Sequence, residues 1–158
     1  MKSPRNVWSF PVKTKWGVFL IAGTPKGLYR VCFPGEKSHF PRIKIKNQQI
    51  KNFIEYFKFP QKTFRMKVDF SGYTFFERKV LKMLLGVRPG KVISYGELAR
   101  RAGYAGAARA VGSVMRKNRL PLVLPCHRVI QQNGRLGRYS KGDHWKRRLL
   151  AHEGFFSA

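Results

Sequence analysis

The sequence predicts an α+β chain in two parts. A small N-terminal α/β domain, an antiparallel sheet plus a helix, is expected over residues 1–71, and a mainly helical, winged helix-turn-helix-like domain over residues 72–158. Three observations lead to this expectation. Strand-like runs separated by turn residues crowd the first third of the chain, while apolar faces at helical spacing dominate the second half. Ser71-Gly72 punctuates the change between the two patterns. Between residues 94 and 117 a helix, a short glycine-containing turn and a second helix follow one another, which is helix-turn-helix order.

In the first part, Val7 to Val12 and Gly17 to Ala22 read as two strands joined by the turn Lys13-Thr14-Lys15. Gly23-Thr24-Pro25-Lys26-Gly27 is turn chemistry, and Leu28 to Phe33 reads as a third strand, which completes a meander. Ile50, Phe53, Ile54 and Phe57 fall at i, i+3, i+4 and i+7 and predict one apolar face of a helix over Asn47 to Phe57. Phe64, Met66, Val68 and Phe70 alternate with Arg65, Lys67 and Asp69, the pattern of a half-buried strand. Cys32, within a strand pattern, reads as a small core residue.

In the second part, Thr74 followed by Glu77 is a capping box, opening a helix with Phe76, Val80, Met83, Leu84 and Val87 inward. Arg88-Pro89-Gly90 stops it, and Val92-Ile93 is a very short extended piece. Ser94 with Glu97 reads as a second capping box, for a helix through Ala102 that ends at Gly103. A third helix is expected from about Ala107 to Lys117, ended by Asn118. Its early residues are small apart from Arg109, so its backbone can approach a partner closely with one cation protruding. That suits a narrow groove entered by an arginine or wedge, whereas a major-groove reader presents several long polar side chains at its start. The alternative is an internal helix packed by small residues.

Pro121 to Pro125 reads as a rigid extended run, because the two prolines fix φ and supply no donor. Gln132-Asn133-Gly134 predicts a tight turn folding Val129-Ile130 against Arg135-Leu136 as a small wing, and Gly137 to Gly142 a mobile polar loop. Asp143 is expected to cap a last helix containing Trp145, Leu149 and Leu150, ended by Gly154.

Lys and Arg number 33 against 7 Asp and Glu, a formal net charge of +26. Residues 1–72 carry +12 and residues 73–158 carry +14, so the charge belongs to the body and not to a tail. Such an excess repels itself when folded and implies a polyanionic partner, nucleic acid before an anionic membrane surface. No apolar run approaches the length of a membrane span, and the N-terminus lacks an apolar signal core. Two distant cysteines, Cys32 and Cys126, make no disulfide framework and point to a reducing compartment, cytoplasmic or nuclear. No Cys/His set has a structural metal spacing, so no metal is expected.

The chemistry concentrates at Pro125-Cys126-His127-Arg128-Val129. A thiolate is the reactive species, and His127 with the adjacent Arg128 favours ionisation. The histidine needs a carboxylate to fix its tautomer. Only four acids follow residue 72. Glu77, Glu97 and Asp143 read as caps, which leaves Glu153. By chemistry alone this suits a cysteine hydrolase, a thiol that accepts a group, or an inert buried cysteine in a DNA-binding protein.

Ser94-Tyr95-Gly96, Ala107 to Gly112, Asn118, Pro125 to Val129, Gly134-x-Leu136-Gly137-x-Tyr139 and Leu149-Leu150-x-x-Glu153-Gly154 together resemble the O6-alkylguanine-DNA alkyltransferases, over about residues 74 to 154. The resemblance implies single-turnover repair of O6-alkylguanine in double-stranded DNA, without a cofactor. Cys126 would accept the alkyl group, His127 would deprotonate it through a water, and Glu153 would orient His127. Tyr95 would help rotate the nucleotide and hydrogen-bond guanine N3, and Arg109 would fill the vacated stack. Ser94, Ala108, Gly112, Arg116 and Arg128 would join Arg109 at the DNA. Met115, Val129, Tyr139 and Ser140 would line the pocket, with Ser140 donating to O6 and the Cys126 and Val129 carbonyls accepting from the exocyclic amine. Asn118 would hold the halves of the domain together. The resemblance further implies a monomer, with cooperativity along DNA and the N-terminal part in support. The chain departs from the family pattern at Ala105, Arg119 and Arg138, where proline, proline and glycine or asparagine are usual.

Overall fold

The first hairpin reverses one residue later than its turn signal suggests. In the computed structural model, which describes residues 6–43 and 48–156, β1 (Trp8–Thr14) runs through the expected turn, and the chain turns at Lys15-Trp16. Thr14 closes that turn: its hydroxyl accepts from the Trp16 N–H at 3.0 Å and donates to the Gly17 carbonyl at 2.9 Å. β2 (Gly17–Thr24) pairs antiparallel with β1 and with β3 (Gly27–Cys32), giving the expected meander in the order β1-β2-β3. Pro11 sits on an edge strand, where its missing N–H costs no central ladder bond. The chain divides into two compact units, Met1–Gly72 and Tyr73–Ala158.

In the first unit α1 (Gln48–Lys58) buries Ile50, Phe53, Tyr56 and Phe57. The expected start at Asn47 lies outside the described residues, and Tyr56 replaces Ile54 on the buried face. Phe19, Phe33, Phe53 and Phe57 form the aromatic centre of this unit, with Phe19 5.0–5.9 Å from each of the other three ring centroids. Cys32 is a buried residue of β3.

The expected strand over Phe64 to Phe70 is not a strand. It is an extended segment joined to β3 by a single parallel bridge, Leu28 to Val68. The Leu28 N–H donates to the Lys67 carbonyl and the Asp69 N–H to the Leu28 carbonyl. The alternation survives in the burial pattern until Asp69, which is buried instead of exposed. Its carboxylate accepts from the Thr24 hydroxyl at 2.6 Å and from the Ser71 N–H at 2.8 Å. Burial alone would raise its pKa, but these bonds together lower it. Gly27 is required beside this segment: its φ is +138°, and a Cβ there would stand 2.6 Å from the Lys67 carbonyl oxygen.

The second unit opens with α2 (Phe75–Leu84), and both bonds of the Thr74–Glu77 capping box are present. Val80, Leu81 and Leu84 face the core, while Met83 is exposed, contrary to expectation. β4 (Ile93–Ser94) leads directly into α3 (Tyr95–Arg101). Ser94 caps α3 by accepting from the Glu97 N–H, but the box is not reciprocal. The Glu97 carboxylate turns outward to Arg100 and Arg101, at 2.7–2.8 Å. α4 (Ala108–Lys117) follows, packs against α3 and ends at Asn118.

Beyond Asn118 the structure differs from the sequence reading twice. Pro121 to Pro125 is not extended. The Leu124 N–H reaches back to the Leu120 carbonyl at 2.8 Å, and Leu122 adopts a φ of +76°. Asn118 holds this compact turn, donating to the Leu124 carbonyl at 2.8 Å and accepting from the Leu120 N–H at 2.9 Å. A buried backbone must satisfy its polar groups, and an amide side chain does so where neighbouring strands are absent. The second difference is the wing. β5 (Val129–Ile130) pairs parallel with β4 and not with Arg135-Leu136; the Gln131 N–H, just after β5, donates to the Arg135 carbonyl. α5 (Asp143–His152) completes the unit. Asp143 is its first helical residue, not its N-cap, and its carboxylate accepts from the Tyr139 N–H. Gly154, at φ +79°, ends the helix as expected. Among the described residues the chain is thus a mixed α/β protein with one three-stranded antiparallel sheet and five α-helices.

Candidate functional site

Cys126 stands at the start of a single 3-10 turn, Cys126 to Arg128, between the Asn118-held turn and β5. Every residue from Leu120 to Ile130 is buried, and Cys126 itself is only 4% exposed. Its Sγ lies 3.8 Å from the Tyr139 hydroxyl. Burial pushes the thiol pKa up, against the expectation that basic neighbours dominate. Hydrogen bonding by Asn118 and Tyr139 and the charge of Lys146 oppose that push.

His127 is fully buried, and its Nε2 lies 2.8 Å from Glu153 Oε1. A carboxylate accepts, so Nε2 carries the proton and Nδ1 is the bare nitrogen of the neutral ring. That Nδ1 has no hydrogen-bond partner, so it is the available base. Burial lowers the His127 pKa more than Glu153 raises it, which keeps the ring neutral. Glu153 closes α5 as its C-cap and is itself buried. Burial would raise its pKa, but His127 and Arg128 hold it well below the ordinary carboxylate range. Arg128 grips it bidentately, at 2.9 and 2.7 Å, and also donates to the Val87 carbonyl at 2.6 Å. The imidazole is therefore backed by a carboxylate whose own charge is fixed by a guanidinium.

Arg128, expected at the DNA, is 6% exposed with its guanidinium committed to Glu153 and the Val87 carbonyl. Tyr95, the first residue of α3, is half-buried, and a Cβ at Gly112 would stand 3.9 Å from its ring. Burial raises its pKa, and the charge of Cys126 adds to the rise, so its hydroxyl keeps its proton near the thiol. Met115 and Val129 are buried. Ser140 lies exposed on the loop after Tyr139. Ser94 is the helix cap described above, and Ala108 and Gly112 are half-buried on α4. Arg109 and Arg116 are exposed on the same helix. Arg116 donates to the Ser113 hydroxyl, while Arg109 has no ion-pair partner among the described residues.

Two residues escaped the sequence reading. Lys146 is 1% exposed, and its ammonium donates to the Val129 carbonyl at 2.6 Å and to the Leu136 carbonyl. Its signal was present: Leu149 and Leu150, three and four residues on, place it on the buried face of α5. Tyr73 is the other. Its hydroxyl accepts from the Arg119 N–H at 2.9 Å, and the Arg119 guanidinium lies 4.2 Å from its ring centroid. A proline at 119 could make neither contact. Among the described residues no cluster of three or more His, Cys, Asp or Glu could hold a metal ion.

A family model described as "6-O-methylguanine DNA methyltransferase, DNA binding domain" matches residues 75–155. A human methylated-DNA–protein-cysteine methyltransferase is 54% identical over 80 residues, covering 50% of this chain. The match spans 39% of that relative's length. A crystal structure of a Mycobacterium tuberculosis O6-methylguanine methyltransferase superimposes with a TM-score of 0.82 at 30% identity, covering 96% of this chain and 94% of that one. A structure of M. tuberculosis OGT in complex with DNA gives a TM-score of 0.77 at 29% identity, covering 94% and 92%.

Proposed function

The chain belongs to the 6-O-methylguanine DNA methyltransferase family, and on that premise we propose that it repairs alkylated DNA directly, moving the alkyl group from O6 of guanine to Cys126 in one turnover. The observation that carries the reading is the buried Cys126 beside a neutral His127 whose partner Glu153 is fixed by Arg128.

His127 Nδ1 takes the thiol proton through a water, since the adjacent side chains share no direct hydrogen bond. The thiolate attacks the alkyl carbon in line, the carbon–oxygen bond breaks as the carbon–sulfur bond forms, and Tyr95 supplies a proton to guanine N3. The cost of generating a buried thiolate is offset by Asn118, Tyr139 and Lys146. No cofactor enters. The lesion must leave the duplex to reach a thiol that is 4% exposed, and extrusion costs a few kcal/mol. Arg109, exposed near the start of the small-residue helix α4, fills the gap in the stack. Within residues 72–158, α3 and α4 form a helix-turn-helix, with the 131–138 connection as a minimal wing. Residues 1–71 act as a supporting domain. The protein works on double-stranded DNA as a monomer, in cytoplasm or nucleus. Among the described residues no helix is long and apolar enough to cross a membrane.

The test is the intact mass after incubation with an O6-methylguanine duplex. The protein should gain one methyl equivalent, on Cys126, and stop. Cys126→Ala should still bind the lesion but gain nothing. Continued turnover, or methyl removal by the Cys126→Ala protein, would sink the mechanism.

A further inference from the structure

A groove of about 600 Å³ opens in the second unit between the loop after β5, the start of α5 and the C-terminal segment. Neither Cys126 nor Tyr139 borders it, and none of its lining residues takes part in the transfer. Arg135 and Arg138 reach it from the loop, Arg147 and Asp143 from α5, and Phe155 and Phe156 give it an aromatic wall.

The backbone around the groove is fixed at three places. The Gln131 N–H donates to the Arg135 carbonyl at 2.9 Å and the Gly134 N–H to the Gln131 carbonyl at 3.0 Å, so the loop doubles back before its arginines. Gly137, at φ +71°, lets the chain between Arg135 and Arg138 bend against Gln131; a Cβ there would stand 3.3 Å from that side chain. Beyond Gly154 the Phe155 N–H donates to the Leu150 carbonyl at 2.9 Å, which sets the segment that carries the two phenylalanines.

The groove's charges are unbalanced. Its one carboxylate, Asp143, accepts from the Tyr139 N–H at 3.1 Å. No ion pair among the described residues includes Asp143, Arg135, Arg138 or Arg147, and all three arginines are exposed. Guanidiniums gathered without a counter-charge repel one another and favour an anion between them. Phe156 is 49% exposed, with its ring 5.1 Å from that of Phe155. A free phosphate or an acidic peptide would satisfy the arginines and leave the rings unused. A nucleic-acid strand uses both: guanidinium forks match phosphates, and an exposed ring stacks a base. A duplex keeps its base faces inside the stack, so the strand that fits is single. In a unit that matches a DNA-binding domain, that strand is DNA.

We propose that this groove holds a short single strand of DNA, its phosphates gripped by Arg135, Arg138 and Arg147 and a base stacked on Phe156. The site is separate from the α4 face and does not depend on the alkyl-transfer reading.

The test follows binding of a fluorescent oligothymidylate of about eight nucleotides, within the span of one single-strand groove, by anisotropy on the full chain over a salt series. Replacing Arg135, Arg138 and Arg147 together by Ala should weaken binding at least about tenfold and lower the salt slope by roughly 2, about 0.7 for each phosphate contact. Arg30, Lys51 and Lys58, exposed in the first unit, serve as the charge-matched control, and their triple Ala variant should bind within about twofold of the unaltered protein. Phe156→Ala should weaken binding at least about fivefold with the slope unchanged. A second measurement needs no variant: ultraviolet crosslinking of a bromodeoxyuridine-containing strand to the unaltered protein should mark the peptide holding Phe155 and Phe156. Equal losses in the two triple variants, an unaffected Phe156→Ala protein, or crosslinks confined to α4 would overturn the proposal. So would polyglutamate competing as well as the oligonucleotide at equal charge, which would make the groove selective for charge alone, or tighter binding of oligouridylate, which would make it an RNA site. Failure of the alkyl-acceptor reading is seen separately, as no gain of mass with methylated DNA.

Discussion

At the scale of single residues, the consequential fact is how few acids this chain can use. Glu153 receives one hydrogen bond from His127, two from Arg128 and a longer one from the Gly90 N–H, with no exposure to water. Removing its charge leaves a buried guanidinium without a partner and frees the imidazole to rotate. Glu153→Gln should therefore cost roughly 3 kcal/mol of stability, read by urea unfolding, and slow methyl transfer more than it weakens lesion binding. A variant of unaltered stability would mean that the network is not closed as described. Arg119 makes a contrasting case. The family's usual proline is absent, but the freed N–H is satisfied by Tyr73 and the guanidinium lies over that ring, so the departure is built into the fold.

At the scale of elements, α4 separates two kinds of arginine. Arg109 stands near its small-residue start and Arg116 in its last turn. If Arg109 enters the base stack and Arg116 meets a phosphate, their variants should differ in kind. Arg116→Ala should reduce the salt slope of duplex binding by about one, whereas Arg109→Ala should leave the slope nearly unchanged. Arg109→Ala should also weaken capture of paired lesions while sparing attack on the free base. Equal losses on both substrates would contradict an intercalating role. The capping box of α2 gives a purely structural counterpart. Thr74→Ala removes an acceptor for the Glu77 N–H, and the urea midpoint should fall by the equivalent of about 1 kcal/mol with no change in transfer rate.

At the scale of the whole chain, charge sets both the partner and the response to pH. The +26 excess is shared by both units, and affinity for any DNA should fall steeply with salt. Acid should destabilise the fold in two stages. His127 is kept neutral inside, its folded pKa below the ordinary value, so only the unfolded chain gains a proton as pH drops below about 6.5. Glu153, Glu77 and Asp69 are held below their ordinary values. Their contribution is present above about pH 4.5 and is lost as pH falls through the folded values. Thermal unfolding across pH 7 to 3 should show decline beginning near 6.5 and steepening below 4.5. A flat profile down to pH 4 would contradict the buried neutral histidine.

The sequence by itself determined the parts whose signal is local. The meander, the apolar face of α1, the Thr74 cap and the glycine end of α5 follow from spacing and turn chemistry within a few residues. Cys126, His127 and Glu153 were legible because the chain offers so few alternatives. Tertiary structure decided everything that depended on where buried polar groups find partners. Pro121 to Pro125 coils because Asn118 satisfies its backbone, and β5 pairs with β4 because the two extended stretches meet across 34 intervening residues that no local pattern encodes. Arg128 and Lys146 look like surface cations in a basic sequence. Folding removes both from water, and their partners, Glu153 for one and two carbonyls beside the thiol for the other, are fixed only by packing.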